Sequence, residues 1–177
     1  MESPDLPWAK SNDSRNAPKP IDSVPDQFAL SFLSFLQSTG MKRGKILEIE
    51  GQNIANMNLF YSNHFEPSVM SPNDKFHLNF DQYGIRFYCY SPFSYWPFED
   101  HYFDFVIDVH TNFSMLEKDL LQIYLENLSR TLSSDGFAAL SFETKRLEEF
   151  KKILSSFDLV YKKDLGNEIS IFAHRKP

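Results

Sequence analysis

The chain has 177 residues, a formal net charge of −6 and a hydrophobic content of 42%, which together indicate one globular domain of ordinary composition. The negative average field repels a phosphate backbone, which disfavours strong sequence-independent binding to nucleic acid but leaves room for a local basic patch. Cys89 is the single cysteine, so an intramolecular disulfide is excluded and a reducing compartment is favoured. No run reaches the ~20 apolar residues of a membrane helix, and the first residues do not resemble a signal peptide. We expect a cytoplasmic or nuclear protein that is not associated with a membrane.

Residues 1–22 are polar and rich in proline, which predicts a flexible N-terminal tail, because such a segment buries too little apolar surface to offset its ordering entropy. Residues 23–177 are predicted to form the domain. Its first helix opens at Ser23, with Asp26 in the first turn, and ends at Gly40. The pattern that follows predicts strands over 45–49, 67–71 and 85–90, with a weak helix over 53–62 and a short helix over 75–82.

The second half begins with the strongest strand pattern of the chain, residues 102–110. Ser114 and Glu117 have capping-box spacing and predict the start of a helix that runs to residue 132. Asp135 and Gly136 are predicted to end that helix. The remaining pattern predicts a strand over 137–142, a helix over 145–157, and a hairpin of strands 159–163 and 169–174 that turns at 165–167.

Strands that alternate with helices predict an α/β fold with a mostly parallel sheet and helices on both faces. A hairpin after the last helix implies an antiparallel strand at the end of the chain. In folds of this kind, ligands bind outside the carboxyl ends of the parallel strands, where the strand order reverses. The loops at that edge are therefore the first place to look for functional residues.

Three stretches of the sequence carry a family resemblance. PFED at 97–100 followed by YFDFVID at 102–108 resembles the segment that leads into the fourth strand of class I S-adenosylmethionine-dependent methyltransferases, in their type 11-like, small-molecule subgroup. The helix 114–132, with Arg130 and Leu132 at matching places, and ILEI at 46–49 are similar to other segments of the family. The resemblance spans roughly residues 25–176. It implies a Rossmann-like, seven-stranded sheet with an antiparallel last strand, S-adenosylmethionine as the cofactor and methyl transfer as the reaction.

The loop after the first strand departs from the family pattern. The resemblance implies a G-x-G-x-G motif there, because glycines without a Cβ let a cofactor approach the backbone. Aligned on Glu48, the three glycine places fall on Glu50, Gln52 and Ile54. The glycine present, Gly51, is one place out of register, and Ile54 is expected to obstruct the approach of a ligand.

Two further contacts that the resemblance implies are also altered. The family carboxylate that binds the ribose hydroxyls at the end of the second strand falls on Ser71, and Asp74 is the residue that would substitute for it after a loop shift. The family acid near the adenine amine falls on Ser91 and Pro92, and proline has neither a side-chain acceptor nor an N–H donor. Three losses of about 1–3 kcal/mol each predict a strongly weakened cofactor site.

The candidate residues follow from these positions. His110, after the fourth strand, is the candidate general base, against the alternative of a histidine that is hydrogen-bonded locally. The histidines show no metal-ligand spacing, so no metal site is predicted. The candidate cofactor-binding residues are Glu48, Gly51, Gln52, Ser71, Asp74, Trp96 and Asp108.

The segment between the third and fourth strands is unusually aromatic, and Phe93, Tyr95 and Trp96 have no strand on which to hide. Three interpretations remain open: the rings fill a vacated cofactor pocket, line an aromatic substrate site, or bind a protein partner. We therefore keep two functional hypotheses. The first is a methyltransferase-like domain with a degraded cofactor site that acts as a binding partner or regulatory pseudo-enzyme. The second is an active small methyltransferase with an atypical cofactor loop, and a nucleotide-binding or scaffold protein is a third, weaker possibility.

Overall fold

The computed structural model describes residues 23–143, 157–165 and 168–175. The predicted tail over 1–22 therefore lies outside the described residues. The same holds for the helix predicted over 145–157, apart from Phe157, which begins a strand. The centre of the predicted hairpin turn, residues 166–167, is also outside them.

The first half of the chain alternates helices and strands. The elements are α1 (Gln27–Ser38), β1 (Gly44–Ile49), α2 (Ile54–Ser62), β2 (Phe65–Met70), a 3₁₀ turn (Asp74–Phe76), α3 (His77–Asp81) and β3 (Arg86–Tyr88). The predicted start of the first helix at Ser23 is wrong: α1 begins at Gln27, because Asp26 is its N-cap and its carboxylate accepts a hydrogen bond from the Ala29 amide (3.4 Å). Gly40 ends α1 as predicted, with a φ of 82° that favours glycine.

The second half has one helix among the described residues. The elements are β4 (Phe103–Asp108), a 3₁₀ turn (Phe113–Met115), α4 (Lys118–Thr131), β5 (Leu132–Glu143), β6 (Phe157–Leu165) and β7 (Glu168–Arg175). The strand order across the sheet is β3-β2-β1-β4-β5-β7-β6.

The pairings among β1 to β5 are all parallel. The prediction of an α/β, Rossmann-like fold with a parallel sheet is therefore confirmed over these five strands. β7 pairs antiparallel with β5 and with β6. The strand order reverses between β1 and β4, which places the carboxyl ends of β1, β2 and β4 around one crevice.

Apolar side chains are buried on both faces of the sheet. On one face, α1, α2 and α3 cover a core rich in phenylalanine, in which Phe32 packs edge-on against Phe105 at 6.3 Å between ring centroids. On the other face, α4 packs Leu121 and Leu128 against the strands. Helices on both faces were predicted, and these two cores confirm them.

The predicted capping box is wrong. α4 begins at Lys118, and its N-cap residue Glu117 makes no side-chain cap hydrogen bond. Ser114 lies inside the preceding 3₁₀ turn. The helix starts late because Phe113 is buried against Tyr124, with 5.2 Å between the ring centroids, which bends residues 113–115 into a separate turn.

The prediction that Asp135 and Gly136 end this helix is also wrong. α4 ends at Thr131, and β5 follows at once. The register of β4 against β5 shifts where Phe103 and Phe105 face Leu132 and Phe137, so the intervening residues of β5 form a bulge. A Cβ on Gly136 would lie 2.6 Å from the Asp104 carbonyl oxygen, so glycine serves a close strand-to-strand approach and does not cap a helix.

Residues 89–102, between β3 and β4, contain no helix and form an aromatic loop over the α4 side of the sheet. Trp96 is fully buried in that core. Its Nε1 donates to the Pro92 carbonyl (3.0 Å), and its backbone amide donates to Asn127 Oδ1 in α4 (3.0 Å). Tyr95, by contrast, is 70% exposed, and the Arg130 guanidinium lies over its ring at 4.4 Å.

We predict that Trp96→Ala lowers the free energy of unfolding by about 3–5 kcal/mol, because it empties a core site and removes the Nε1 donor of the Pro92 carbonyl. The matched control is Tyr95→Ala in the same loop, which should change stability by less than about 1 kcal/mol. Urea denaturation followed by circular dichroism measures both values. Equal effects of the two substitutions would show that Trp96 does not anchor the loop.

Candidate functional site

The carboxyl edge of the sheet gathers side chains from three strands. Glu48, Glu50 and Gly51 belong to the end of β1 and its loop, Ser71 follows β2, and Asp108 ends β4. Four of these residues were predicted as candidates, and the structure places them at the same edge. Glu50 was predicted only as a position at which the family motif has glycine.

Glu48 is buried at the base of this edge and belongs to a network that joins β1, α1 and α2. Its Oε1 accepts a hydrogen bond from Asn56 Nδ2 (3.2 Å), which also donates to Asp26 Oδ2 (2.8 Å). Oε2 is buried and has no partner among the described residues. The pKa of Glu48 is raised to about 8, mainly by burial; the Asn56 hydrogen bond opposes this shift, and the charges of Asp26 and Asp108 add to it. The carboxyl group is therefore mostly protonated near neutral pH.

Gly51 passes directly over this carboxyl group. A Cβ at Gly51 would lie 2.7 Å from Glu48 Cδ and 2.9 Å from Cγ, and it would clash with Oε2 as well. Any side chain at position 51 would have to displace Glu48. The glycine is thus required by a neighbour in the protein itself.

Glu50 has a φ of 55°, a left-handed conformation that non-glycine residues rarely adopt. Its amide donates to the Met70 carbonyl (2.7 Å), which fixes the turn against the end of β2. The half-buried side chain then reaches across the edge, where Glu50 Oε2 accepts a hydrogen bond from Ser71 Oγ (3.0 Å). A carboxylate from the first loop therefore lies at the end of the second strand.

Ser71 is buried, and both its hydroxyl and its backbone amide form hydrogen bonds. Its hydroxyl accepts from the Asn73 amide (3.2 Å) while donating to Glu50, and its own amide donates to the Tyr88 carbonyl (3.1 Å). Asp74 is exposed and opens the 3₁₀ turn, and its carboxylate takes no part in these bonds among the described residues. Asp74 does not reach Ser71, and the carboxylate that contacts Ser71 is that of Glu50, which the left-handed turn at residue 50 directs there.

The remaining residues of the first loop, Gln52 to Ile54, lead into α2. Ile54 begins α2, and its side chain is half-buried against the core between the sheet and α1. Part of this side chain therefore lies away from the surface that a ligand would approach. Gln52 is exposed. Asn53 caps α2 by accepting from the Ala55 amide (3.0 Å), and it donates to the Val24 carbonyl (3.0 Å).

The loop after β3 presents no carboxylate at Ser91 or Pro92. Pro92 is buried, and its carbonyl is used by Trp96. The candidate Trp96 lies inside the core and has no surface open to a ligand in this arrangement. The chemistry at this edge therefore rests on β1, β2 and β4.

Asp108 is fully buried, and each of its oxygens is used. Oδ2 accepts from the Tyr124 hydroxyl (2.8 Å), and Oδ1 accepts from the amides of Thr111 (2.9 Å) and His110 (3.2 Å). Burial raises the pKa of Asp108 to about 6 against the opposing effect of these hydrogen bonds. Asp108 thus shapes the turn after β4, while the His110 side chain is exposed at its rim.

Within the part of the chain that the structure describes, no group of three or more metal-ligating side chains is present. In the same residues, no helix is long and apolar enough to cross a membrane.

Solved structures with the same fold include several methyltransferases. The ribosomal protein L11 methylase of Lactobacillus delbrueckii subsp. bulgaricus superposes with a TM-score of 0.64 at 15% identity, covering 85% of this chain and 78% of that chain. A 1,6-didemethyltoxoflavin-N1-methyltransferase of Burkholderia thailandensis, solved with 1,6-didemethyltoxoflavin and S-adenosylhomocysteine, gives 0.68 at 12% identity over 85% and 79%. An S-adenosylmethionine-dependent methyltransferase of Clostridium acetobutylicum gives 0.71 at 10% identity over 88% and 94%.

No protein-family model matches the chain, and no curated protein matches its sequence. The similarity to the solved structures shows that the chain has the class I methyltransferase fold, as the sequence resemblance indicated. At identities of 10–15%, this similarity shows the fold alone.

We predict that the wild-type protein loses about 2 kcal/mol of stability between about pH 6 and about pH 8, because the folded state keeps a proton on Glu48 that the unfolded chain has already released. This window lies below the folded pKa of about 8 and above the ordinary value of 4.5. In Glu48→Gln, which mimics the protonated carboxyl group, that part of the pH dependence should disappear. Chemical denaturation at several pH values measures it, and an unchanged slope in the variant would show that Glu48 is ionised in the fold.

Proposed function

We propose that this chain binds S-adenosylmethionine or S-adenosylhomocysteine at the carboxyl edge of the sheet and acts as a methyltransferase-like binding or regulatory domain. The observation that carries the proposal is the hydrogen bond between Glu50 and Ser71, because it returns a carboxylate to the end of β2. The S-adenosylhomocysteine bound to a structural neighbour supports the choice of ligand.

The Glu50 carboxylate suits a ribose. One oxygen accepts from Ser71, and the other has no hydrogen-bond partner among the described residues, while the side chain is half-exposed. An ionised carboxylate accepts several hydrogen bonds through its two oxygens, and hydrogen bonds from hydroxyls to a charged acceptor are among the stronger ones. Two adjacent ribose hydroxyls are donors of the matching number and spacing.

The remaining residues of the edge fit the same ligand. Gly51 is buried against Glu48 without a side chain, so the first loop passes close over the end of β1. The protonated Glu48 beneath it adds no negative charge, so Glu50 is the carboxylate of the first loop that would face the ligand. When bound, S-adenosylmethionine would supply an electrophilic methyl group; the protein residues named here bind and orient it.

Methyl transfer by this chain is the second candidate, and one observation favours it. His110 is exposed at the end of β4, beside the crevice, where a general base for an acceptor would lie. Formation of S-adenosylhomocysteine from S-adenosylmethionine in a small-molecule cell extract, lost in His110→Ala, would favour the enzyme over the binding domain.

The proposed domain includes the whole sheet. The seven-stranded sheet with an antiparallel last strand is the scaffold of the whole domain, and the pairing of β7 with β5 supports it.

A protein partner would contact the aromatic loop through Tyr95 and the half-buried Phe93, since Trp96 is inside the core. Tyr95→Ala leaves the cofactor edge intact and separates this contact from ligand binding.

We predict that the wild-type chain binds S-adenosylhomocysteine and that Glu50→Gln weakens binding about 10- to 100-fold, as expected for the loss of charge-assisted hydrogen bonds. Glu99→Gln, an exposed loop carboxylate away from the edge, is the matched control and should bind like the wild type. Isothermal titration calorimetry measures all three dissociation constants.

The double variant Glu50→Gly with Ser71→Asp moves the carboxylate to β2 and places glycine at the left-handed position. It should bind within about fivefold of the wild type. Absence of binding by the wild type would refute the proposed function. Equal binding by wild type and Glu50→Gln would refute the role of Glu50 alone.

A further inference from the structure

We propose that the opposite, amino edge of the sheet carries a second binding site, for a small oxyanion such as phosphate. The site is a cavity of about 170 Å³. We name it the amino-edge notch. Its polar lining residues are Lys45, Tyr61, Glu66, Ser68, Arg86, Tyr88 and Tyr102.

The notch exists because β3 is shorter than β2. β3 begins at Arg86, which pairs with Ser68, so the first residues of β2, which pair with β1 on one side, have no strand on the β3 side among the described residues. The aromatic loop before β4 brings Tyr102 over the gap. The result is an open recess bordered by β1, β2 and β3.

Two cations meet at Tyr102. The Lys45 ammonium lies 4.0 Å from the centre of its ring, and Arg86 Nη1 donates to its hydroxyl (3.3 Å). Neither cation forms an ion pair within the described part of the chain, although Lys45 faces Glu66 across the β1–β2 register. Arg86 also interacts with Tyr88, so among the described residues the two positive charges have neutral tyrosine partners, in a chain whose net charge is −6.

Tyr102 does not need the cations to hold its position. Its ring is stacked on Phe98 at 6.3 Å and packs edge-on against Phe103 at 4.9 Å. The cations are thus left to act on whatever occupies the recess. Lys45 and Arg86 against Glu66 give the lining a net positive charge, and the hydroxyls of Tyr61, Tyr88 and Tyr102 are further possible donors.

The notch is well separated in space from the carboxyl edge of the sheet. Lys45 is at the start of β1 and Glu50 follows its end, which corresponds to about 17 Å at the strand rise of ~3.3 Å per residue. Occupation of one site leaves the other open. A phosphate group, either free or carried by a larger molecule, satisfies the charge and the donors of the notch.

The experiment uses the full chain and inorganic phosphate as the probe. Titration followed by ¹H–¹⁵N NMR, at constant ionic strength, should give saturable shifts at Lys45, Arg86 and Tyr102. Arg86→Gln and Lys45→Gln should each weaken binding about tenfold, which corresponds to ~1.4 kcal/mol. Lys42→Gln, an exposed lysine outside the notch, is the control and should bind like the wild type.

Two additional arms identify the ligand. O-phosphoserine in place of phosphate tests a phosphoryl group on a larger molecule, and binding to the wild type that weakens in the same variants would extend the site to such ligands. Acetate should bind more weakly than phosphate because it carries less charge. No saturable shift with phosphate, or equal affinity in Arg86→Gln and the wild type, would overturn the proposal; circular dichroism of each variant confirms that it is folded.

Discussion

The buried carboxyl group of Glu48 constrains the whole functional edge. Its hydrogen bond with Asn56, and through Asn56 with Asp26, ties the end of β1 to α2 and to the start of α1. A side chain at position 51 would collide with it, so the loop above must contain glycine there. Because the group is fully surrounded, it stays protonated where an ordinary glutamate would be charged. The path of the first loop follows from the accommodation of this one side chain.

With Gly51 fixed above Glu48, the preceding residue takes the turn. Glu50 adopts the left-handed conformation, at a cost of about 1 kcal/mol, and its side chain is directed to the neighbouring strand. Ser71 is small enough to leave space there and supplies the hydroxyl that holds the carboxylate. An acid at residue 71 would instead repel Glu50. Position 50 and position 71 are therefore best understood as one unit, in which a serine on one strand holds a carboxylate from the loop after the other.

The aromatic loop has a comparable logic on the α4 side of the sheet. Residues 89–102 form no helix, so side chains from an irregular segment must cover that face. Trp96 supplies the largest of them, and its polar atoms are satisfied by Pro92 and Asn127. The same loop delivers Tyr102 to the amino edge, where the short β3 leaves a recess. Packing on one face of the sheet thus creates the second proposed site at its far end.

The sequence by itself determined the order of helices and strands, because alternating and helical periodicities record locally which side of each element is buried. It also placed Glu48, Gly51, Ser71 and Asp108 at the carboxyl edge, since that position depends only on where each strand ends. It did not determine that Glu50 reaches Ser71, that Trp96 is buried, or that Gly136 serves a bulge. Glu50 and Ser71 are 21 residues apart, and Trp96 and Asn127 are 31 apart. Contacts of this kind depend on the sign of one backbone angle and on the register between elements, which only the packed tertiary structure decides.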